Sequence, residues 1–291
     1  MSLPRFDYIK ASSVKEACSL LGKYKKGAKV VAGGTDLLVR MKDRVVEPKY
    51  LIGLKGIGGL DKVVYDRKEG LRIGALATHK LVISSGVAER RYPSLVDALE
   101  KIGTVQVRNL GTVCGNLCNA APSADSAPIL IVMGAKVKIA GANGEREVLL
   151  EKFFRGPGKT VLGADEIVTE VVIPNEKLHS GSKYEKLFAR TSVDLACVGA
   201  ACWVLKNPKT GVVRDIKIVL GAVAPIPMRA KGAERILKGK AATAELIKEA
   251  GEVASQEAKP ISDIRASAEY RREMVKVMVR RAIKGAVEVA G

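Results

Sequence analysis

Residues 109–135 read NLGTVCGNLCNAAPSADSAPILIVMGA, and Asp125 is the only charged side chain among them. The segment constrains the fold because the rest of the chain is so different. The 291 residues hold 49 lysines and arginines against 31 aspartates and glutamates, a net charge of +18. The segment is too rich in Gly, Asn and Ser for ordinary core and too neutral for ordinary surface. Such a stretch fits backbone that lies against a ligand or is buried in an interface.

The charge itself raises nucleic acid as a partner, since lysine and arginine drive binding to phosphates. Its distribution argues otherwise. Residues 1–175 hold 27 basic and 18 acidic residues, and residues 176–291 hold 22 and 13, so the surplus is 9 in each part. Aromatic residues make up only 4% and Trp203 is the single tryptophan, which leaves few platforms for stacking bases. The basic runs 23–29 and 229–240 read as solvated faces. No run of about 18 apolar residues is present to span a membrane. The N-terminus lacks the apolar core of a signal peptide, so the expected compartment is the cytoplasm. Five irregularly spaced cysteines make no disulfide framework.

The periodicities predict an α+β chain. Ser13 with Glu16 predicts a capped helix over 13–22, followed by a strand at 29–32 and a resumed apolar run at 37–41. Strands are expected at 51–54, 63–65 and 71–73, and Thr78 caps a short helix to Val82. A helix follows from 93 to 102 and another over 125–133. Strands 136–140 and 146–149 flank a GANGE hairpin turn, and 167–173 forms a further strand. The composition turns turn-like near 174–182, which divides the chain into 1–175 and 176–291. The second part reads as three strands (183–189, 197–205, 216–220) and then three helices (229–238, 243–258, 267–289).

Two segments carry candidate chemistry. In VVAGGTDLL (30–38) a strand runs into Gly33-Gly34-Thr35, which offers successive backbone N–H groups to a phosphate or pyrophosphate; a plain turn reads the same way. The pattern is neither Walker A nor GxGxxG. The second segment, 102–128, brings Gly103, Gly111 and Gly115 with Thr112 and Asn116. Asp125 can accept bonds from sugar hydroxyls or cap the following helix. Cys114 and Cys118 form a CxxxC pair too small for a tetrahedral metal or cluster site, so no metal is expected. His79 and His179 are the only histidines, and GxSxG and HExxH are absent. Two phosphate-friendly loops without an acid–base set point to a bound cofactor that carries the chemistry.

The two segments stand about 80 residues apart, and together they resemble the flavin-binding medium subunit of the molybdenum hydroxylases. The resemblance rests on AGGTDLL (32–38), IGALATH (73–79), TVCGNLCNAAPSADSAP (112–128), GKTVLGADEIVTEVVIP (158–174) and YEKLFARTSVDLACVGAA (184–201). It implies a two-part FAD-binding domain of the p-cresol methylhydroxylase type, with lobes 1–55 and 56–175. A small α+β domain of three antiparallel strands and three helices follows. By resemblance, the FAD pyrophosphate is wrapped by the backbone N–H groups of Ala32, Gly33, Gly34, Thr35, Asp36 and Leu37. Val107, Gly111, Thr112, Gly115 and Asn116 make the second cofactor loop, Val31, Thr78 and Cys118 are further cofactor-binding residues, and Asp125 binds FAD hydroxyls. Leu162 approaches the isoalloxazine and Lys186 sits near the flavin. The family places Gly-Gly-Asn where this chain has Cys114-Gly115-Asn116, so position 114 is expected to tolerate a β-carbon. No cysteine-rich insertion for an iron–sulfur cluster is present.

The implied function is flavin electron transfer without a catalytic side chain. Electrons come from a small subunit with two [2Fe–2S] centres and a molybdopterin-binding large subunit, in a dimer of heterotrimers. They leave to NAD⁺, a quinone or another acceptor. The alternatives are a self-contained FAD-dependent reductase of the same superfamily and a basic nucleic-acid-binding protein. The even surplus charge fits acidic partner subunits.

Overall fold

The computed structural model describes residues 2–190 and 193–291. The N-terminal lobe runs β1 (Asp7–Lys10), α1 (Val14–Tyr24), β2 (Ala28–Val31), α2 (Leu37–Lys42) and β3 (Tyr50–Gly53). Ser13 starts α1 by accepting the Glu16 N–H at 3.1 Å, and Ala17, Cys18 and Leu21 form its buried stripe. The Glu16 carboxylate turns back to the Ser12 N–H at 2.8 Å, one residue before the reciprocal position of a capping box. The strands pair in parallel in the order β1–β3–β2, which requires crossovers. The second crossover contains the AGGTD turn, and the apolar run after it is helical.

The second lobe begins with the hairpin of β4 (Val63–Asp66) and β5 (Gly70–Gly74). Six short helices follow: α3 (His79–Ile83), α4 (Gly86–Arg91), α5 (Pro93–Glu100), α6 (Val105–Leu110), α7 (Val113–Asn119) and α8 (Ser126–Val132). The chain then returns through β6 (Lys136–Gly141), β7 (Gly144–Leu149), β8 (Phe154–Gly156), β9 (Lys159–Thr160) and β10 (Ile167–Ile173). The result is an antiparallel sheet in the order β4–β5–β10–β6–β7, with β8 and β9 as a separate hairpin.

The C-terminal part holds β11 (Ser180–Leu187), β12 (Val198–Lys206), β13 (Val213–Gly221) and β14 (Met228–Arg229), antiparallel in that order. The three strands expected from sequence are present, and the two-residue β14 extends their edge. Helices α9 (Lys231–Leu237), α10 (Ala244–Glu257) and α11 (Ala268–Val289) complete the α+β layer. The two faces of β12 serve different cores. Val198, Ala200, Cys202 and Val204 pack with the helices, whereas Ala201 and Trp203 join the core of the flanking lobe.

Helix α8 explains half of the neutral segment. All seven of its residues are buried, and it lies against α5 on one side and β12 and β13 on the other. A Cβ on Gly221 would come within 2.9 Å of the Pro128 ring, and the Ala222 N–H donates to the Pro122 carbonyl at 2.8 Å. A charged residue in this helix would be desolvated without a partner, and none is present: after Ser126 every residue is apolar. The segment 102–124, by contrast, folds as the short helices α6 and α7 joined by a glycine turn. That turn belongs to the candidate site.

Candidate functional site

The site is built where the turn between β2 and α2 meets the turn between α6 and α7. Their backbones touch. A Cβ on Gly33 would fall 2.0 Å from the Leu110 carbonyl oxygen, so only glycine allows the approach. A Cβ on Gly111 would lie 3.2 Å from Thr35 Oγ1 and 3.4 Å from the His79 ring. Gly34 takes a positive φ of 76°, which turns the chain into α2. Farther along, Asn119 Nδ2 donates to Asp36 Oδ1 at 3.0 Å and holds the two turns together at their exposed ends.

This arrangement leaves a row of donors. Among the described residues, the backbone N–H groups of Gly33, Gly34, Thr35, Asp36 and Leu37 meet no hydrogen-bond acceptor. Successive amides on a concave turn make an anion-binding surface that needs no cationic side chain. The Val31 and Ala32 backbone leads into it at the end of β2.

The 73–79 segment fixes the second turn. Thr78 bridges Thr112, the His79 N–H donates to the Gly111 carbonyl at 3.0 Å, and the Val113 N–H donates to the Ala77 carbonyl at 3.3 Å. Thr78 also caps α3 by accepting from the Leu81 N–H at 3.1 Å. Thr112 caps α7, its Oγ1 accepting from the Gly115 N–H at 2.9 Å. Val107 closes the loop from the other side, its carbonyl accepting the Gly111 N–H at 2.7 Å. A Cβ on Gly115 would meet Thr112 Oγ1 at 2.8 Å and otherwise face open space. Asn116 Oδ1 accepts from Ser126 Oγ at 2.6 Å and so ties α7 to α8.

Cys114 lies within α7 outside the positive-φ residues and is buried, with Sγ 3.9 Å from the Ile73 carbonyl. It carries its β-carbon without strain, and the glycine at 115 is the one that faces space. Cys118, one turn on and half-buried, has its thiol pushed up to about 12 by burial. Among the described residues no three His, Cys, Asp or Glu side chains group to hold a metal.

The remaining expected residues lie apart from these turns. Asp125 starts α8, yet its carboxylate makes no capping bond. Oδ1 accepts from the Tyr184 hydroxyl at 2.7 Å and Oδ2 from Lys186 Nζ at 2.9 Å. Lys186 also donates to the Lys101 carbonyl at 2.7 Å. The two side chains are 7% and 1% exposed, so this is a buried ion pair that joins α8 to β11 across the seam. Burial pushes the Asp125 carboxyl up, and Lys186 pulls it back. Each carboxylate oxygen keeps a second lone pair for a ligand hydroxyl. Leu162 is half-buried after the β8–β9 hairpin, which is fastened to the end of α7 by the Gly158 N–H donating to the Ala120 carbonyl at 3.0 Å. Thr191 and Ser192, inside the segment 184–201, lie outside the described residues.

The two turns also form one side of an open cavity of about 380 Å³, lined among others by Ala32, Gly33, Thr78, Leu110 and Thr112. His79, which the sequence offered only as part of a motif, is buried beside Gly111. Burial, with Arg108 nearby, lowers its pKa to about 4, so the ring is neutral at pH 7. His179 is exposed in the turn before β11. The donor row, the glycine contacts and the cavity fit the pyrophosphate and one nucleoside arm of a dinucleotide.

Comparison with known proteins agrees with this chemistry. Residues 4–176 match the family described as FAD binding domain in molybdopterin dehydrogenase, and residues 183–286 match the CO dehydrogenase flavoprotein C-terminal domain. The carbon monoxide dehydrogenase medium chain of Hydrogenophaga pseudoflava is 36% identical over 285 residues, 97% of either chain. The glyceraldehyde dehydrogenase medium chain of Sulfolobus acidocaldarius is 32% identical over 283 residues, covering 97% of this chain and 98% of that one. A solved structure of the Hydrogenophaga carbon monoxide dehydrogenase, lacking the Mo-pyranopterin moiety, superposes over 100% of both chains with a TM-score of 0.96 at 36% identity.

Proposed function

The chain belongs to the FAD-binding medium-chain family of the molybdenum hydroxylases, and from that premise we propose that it relays electrons within such a complex. Its electrons come from [2Fe–2S] clusters of a small subunit, fed by a molybdopterin-binding large subunit, in a dimer of heterotrimers. They leave to NAD⁺, a quinone or another acceptor. The observation that carries this reading is the contact of Gly33 with the Leu110 carbonyl beside five N–H groups that meet no acceptor among the described residues. That geometry suits a pyrophosphate held by backbone dipoles.

The isoalloxazine of FAD takes electrons singly or in pairs and can thus join one-electron donors to a two-electron acceptor. The chain's own residues bind and orient. Residues 31–37 would hold the pyrophosphate, and Val107, Gly111, Thr112, Gly115 and Asn116, with Thr78 and Cys118, would complete the cofactor site. Asp125 takes a ribityl hydroxyl on its remaining lone pairs, held in place by Tyr184 and Lys186. Leu162 and Lys186 set the flavin end. We assign residues 1–175 to the FAD-binding domain and 176–291 to the C-terminal domain that closes the flavin end. No proton-transfer residue is needed: His79 is buried and neutral.

The test is rapid mixing of the FAD-loaded full chain with a reduced two-cluster partner. Flavin reduction is expected only when the partner is present. Turnover of a small substrate by the chain alone with NADPH would instead establish a self-contained reductase.

A further inference from the structure

The loop between α10 and α11 ends in a two-residue turn. Asp263 and Ala266 pair across it, the Asp263 N–H donating to the Ala266 carbonyl at 3.1 Å, and Ile264 and Arg265 form the tip. Ile264 is fully exposed there, and Ile261, three residues earlier, is 68% exposed. A single isoleucine in solvent is ordinary. This one is held rigidly in place.

Asp263 is the clamp. Its Oδ1 accepts from the Arg265 N–H at 2.8 Å and from Arg271 Nη2 at 2.7 Å, and its Oδ2 from Arg265 Nη2 at 2.6 Å. The Arg265 bonds hold the carboxyl well below the usual carboxylate range, so these ion pairs persist at neutral and mildly acidic pH. Arg271 is 1% exposed, and its Nη1 donates to the Ala222 carbonyl at 3.0 Å and the Cys197 carbonyl at 3.2 Å. One buried guanidinium thus fastens the tip to the end of β13 and the start of β12. In the sheet, Gly221 stands across from Gly199, and Gly199 across from Lys186. The tip therefore belongs to the end of the C-terminal sheet that carries Lys186.

Rigidity bears on association, because ordering a loop is part of the cost of binding. The charge around the tip also has a sign. Residues 258–272 hold Lys259, Arg265, Arg271 and Arg272 against Asp263 and Glu269, and Asp263 is already engaged by two arginines. We infer that Ile264, with Ile261 beside it, is the anchor on which the cluster-bearing small subunit docks at the flavin end. The surface that fits it is an apolar socket ringed by carboxylates. This rests on the electron-relay reading above: the donor must approach the flavin beside Lys186, and this pre-ordered apolar tip stands at that end.

The experiment is titration of the FAD-loaded full chain with the small subunit carrying both clusters, followed by sedimentation velocity, with flavin reduction read in the same mixtures. Ile264→Glu is expected to weaken the complex at least about tenfold, the scale of one lost apolar anchor, and to slow partner-dependent flavin reduction. Flavin content and Tm should match the parent, because Ile264 is fully exposed. Leu178→Glu is the control: it makes the same change at a residue 86% exposed, at the opposite end of β11 from Lys186, and should leave the affinity unchanged. A photoreactive residue in place of Ile264 is expected to crosslink to the small subunit in the assembled complex. Parental affinity in Ile264→Glu, equal losses in Ile264→Glu and Leu178→Glu, or crosslinks to the large subunit alone overturn the inference while the electron-relay reading stands. A parent that binds flavin but no cluster-bearing subunit overturns that reading and this inference with it.

Discussion

Replacing Gly33 by alanine is the sharpest perturbation of the site. The added Cβ would lie 2.0 Å from the Leu110 carbonyl oxygen, 2.7 Å from its carbon and 2.9 Å from Gly111 Cα. All three atoms are backbone, so no rotamer change relieves the clash. One turn must retreat by about 1 Å, at a cost of roughly 1–3 kcal/mol for overpacking. The same retreat moves the N–H row away from the second loop and uncouples the two halves of the anion cradle. Thermal unfolding of the flavin-free chain should fall by about 2–4 °C per kcal/mol. FAD affinity should drop at least about tenfold through misdirected charge-assisted hydrogen bonds. Gly27→Ala is the control, because no atom lies within 4 Å of its added Cβ. A Gly33→Ala chain with parental Tm and parental FAD affinity would refute the contact between the loops as the basis of the site.

Gly115→Ala makes the complementary case: its Cβ would press on Thr112 Oγ1 at 2.8 Å, the hydroxyl that caps α7, so the cap must shift, Tm should fall by about 2–4 °C and FAD titration should show weaker binding. Lys186→Met leaves the Asp125 carboxylate buried and unpaired, and urea unfolding should show a loss of about 3–5 kcal/mol that Asp125→Leu in the same chain largely restores. His79 holds a pKa of about 4 in the folded chain against 6.5 in the unfolded one. Below pH 6.5 the unfolded state therefore takes up a proton that the folded state refuses. Stability should fall by about 2–3 kcal/mol between pH 7.5 and 4.5, and His79→Gln should flatten that part of the urea profile. The Cys114 and Cys118 thiols, raised by burial, should resist alkylation at pH 8 in the native chain and react after unfolding, as mass spectrometry of the labelled protein will show.

Much of the fold was legible because local signals agreed with tertiary need. Ser13 and Thr78 cap helices as their sequence positions predict, and the strand expected over 197–205 is β12. Residues 103–119 were harder. Glycine, asparagine and threonine favour turns over helix, yet Thr104 and Thr112 cap two short helices whose register is set by packing on 77–79. The neutrality of 109–135 combined two causes that sequence does not separate: a glycine turn packed against Gly33 and Thr35 before Asn116 and a helix sunk in the seam after Asp125. Asp125 and Lys186 were each read toward the cofactor, but their bond to one another spans 61 residues and leaves no periodic trace.

The central claim is that one FAD sits in this chain on backbone amides. The direct measurement is flavin stoichiometry and identity in the purified full chain, by visible absorbance and by chromatography of the flavin released on denaturation. One FAD per chain, recovered again after stripping and reconstitution, is the expected result. A chain that carries no flavin and takes up none when offered FAD would contradict it.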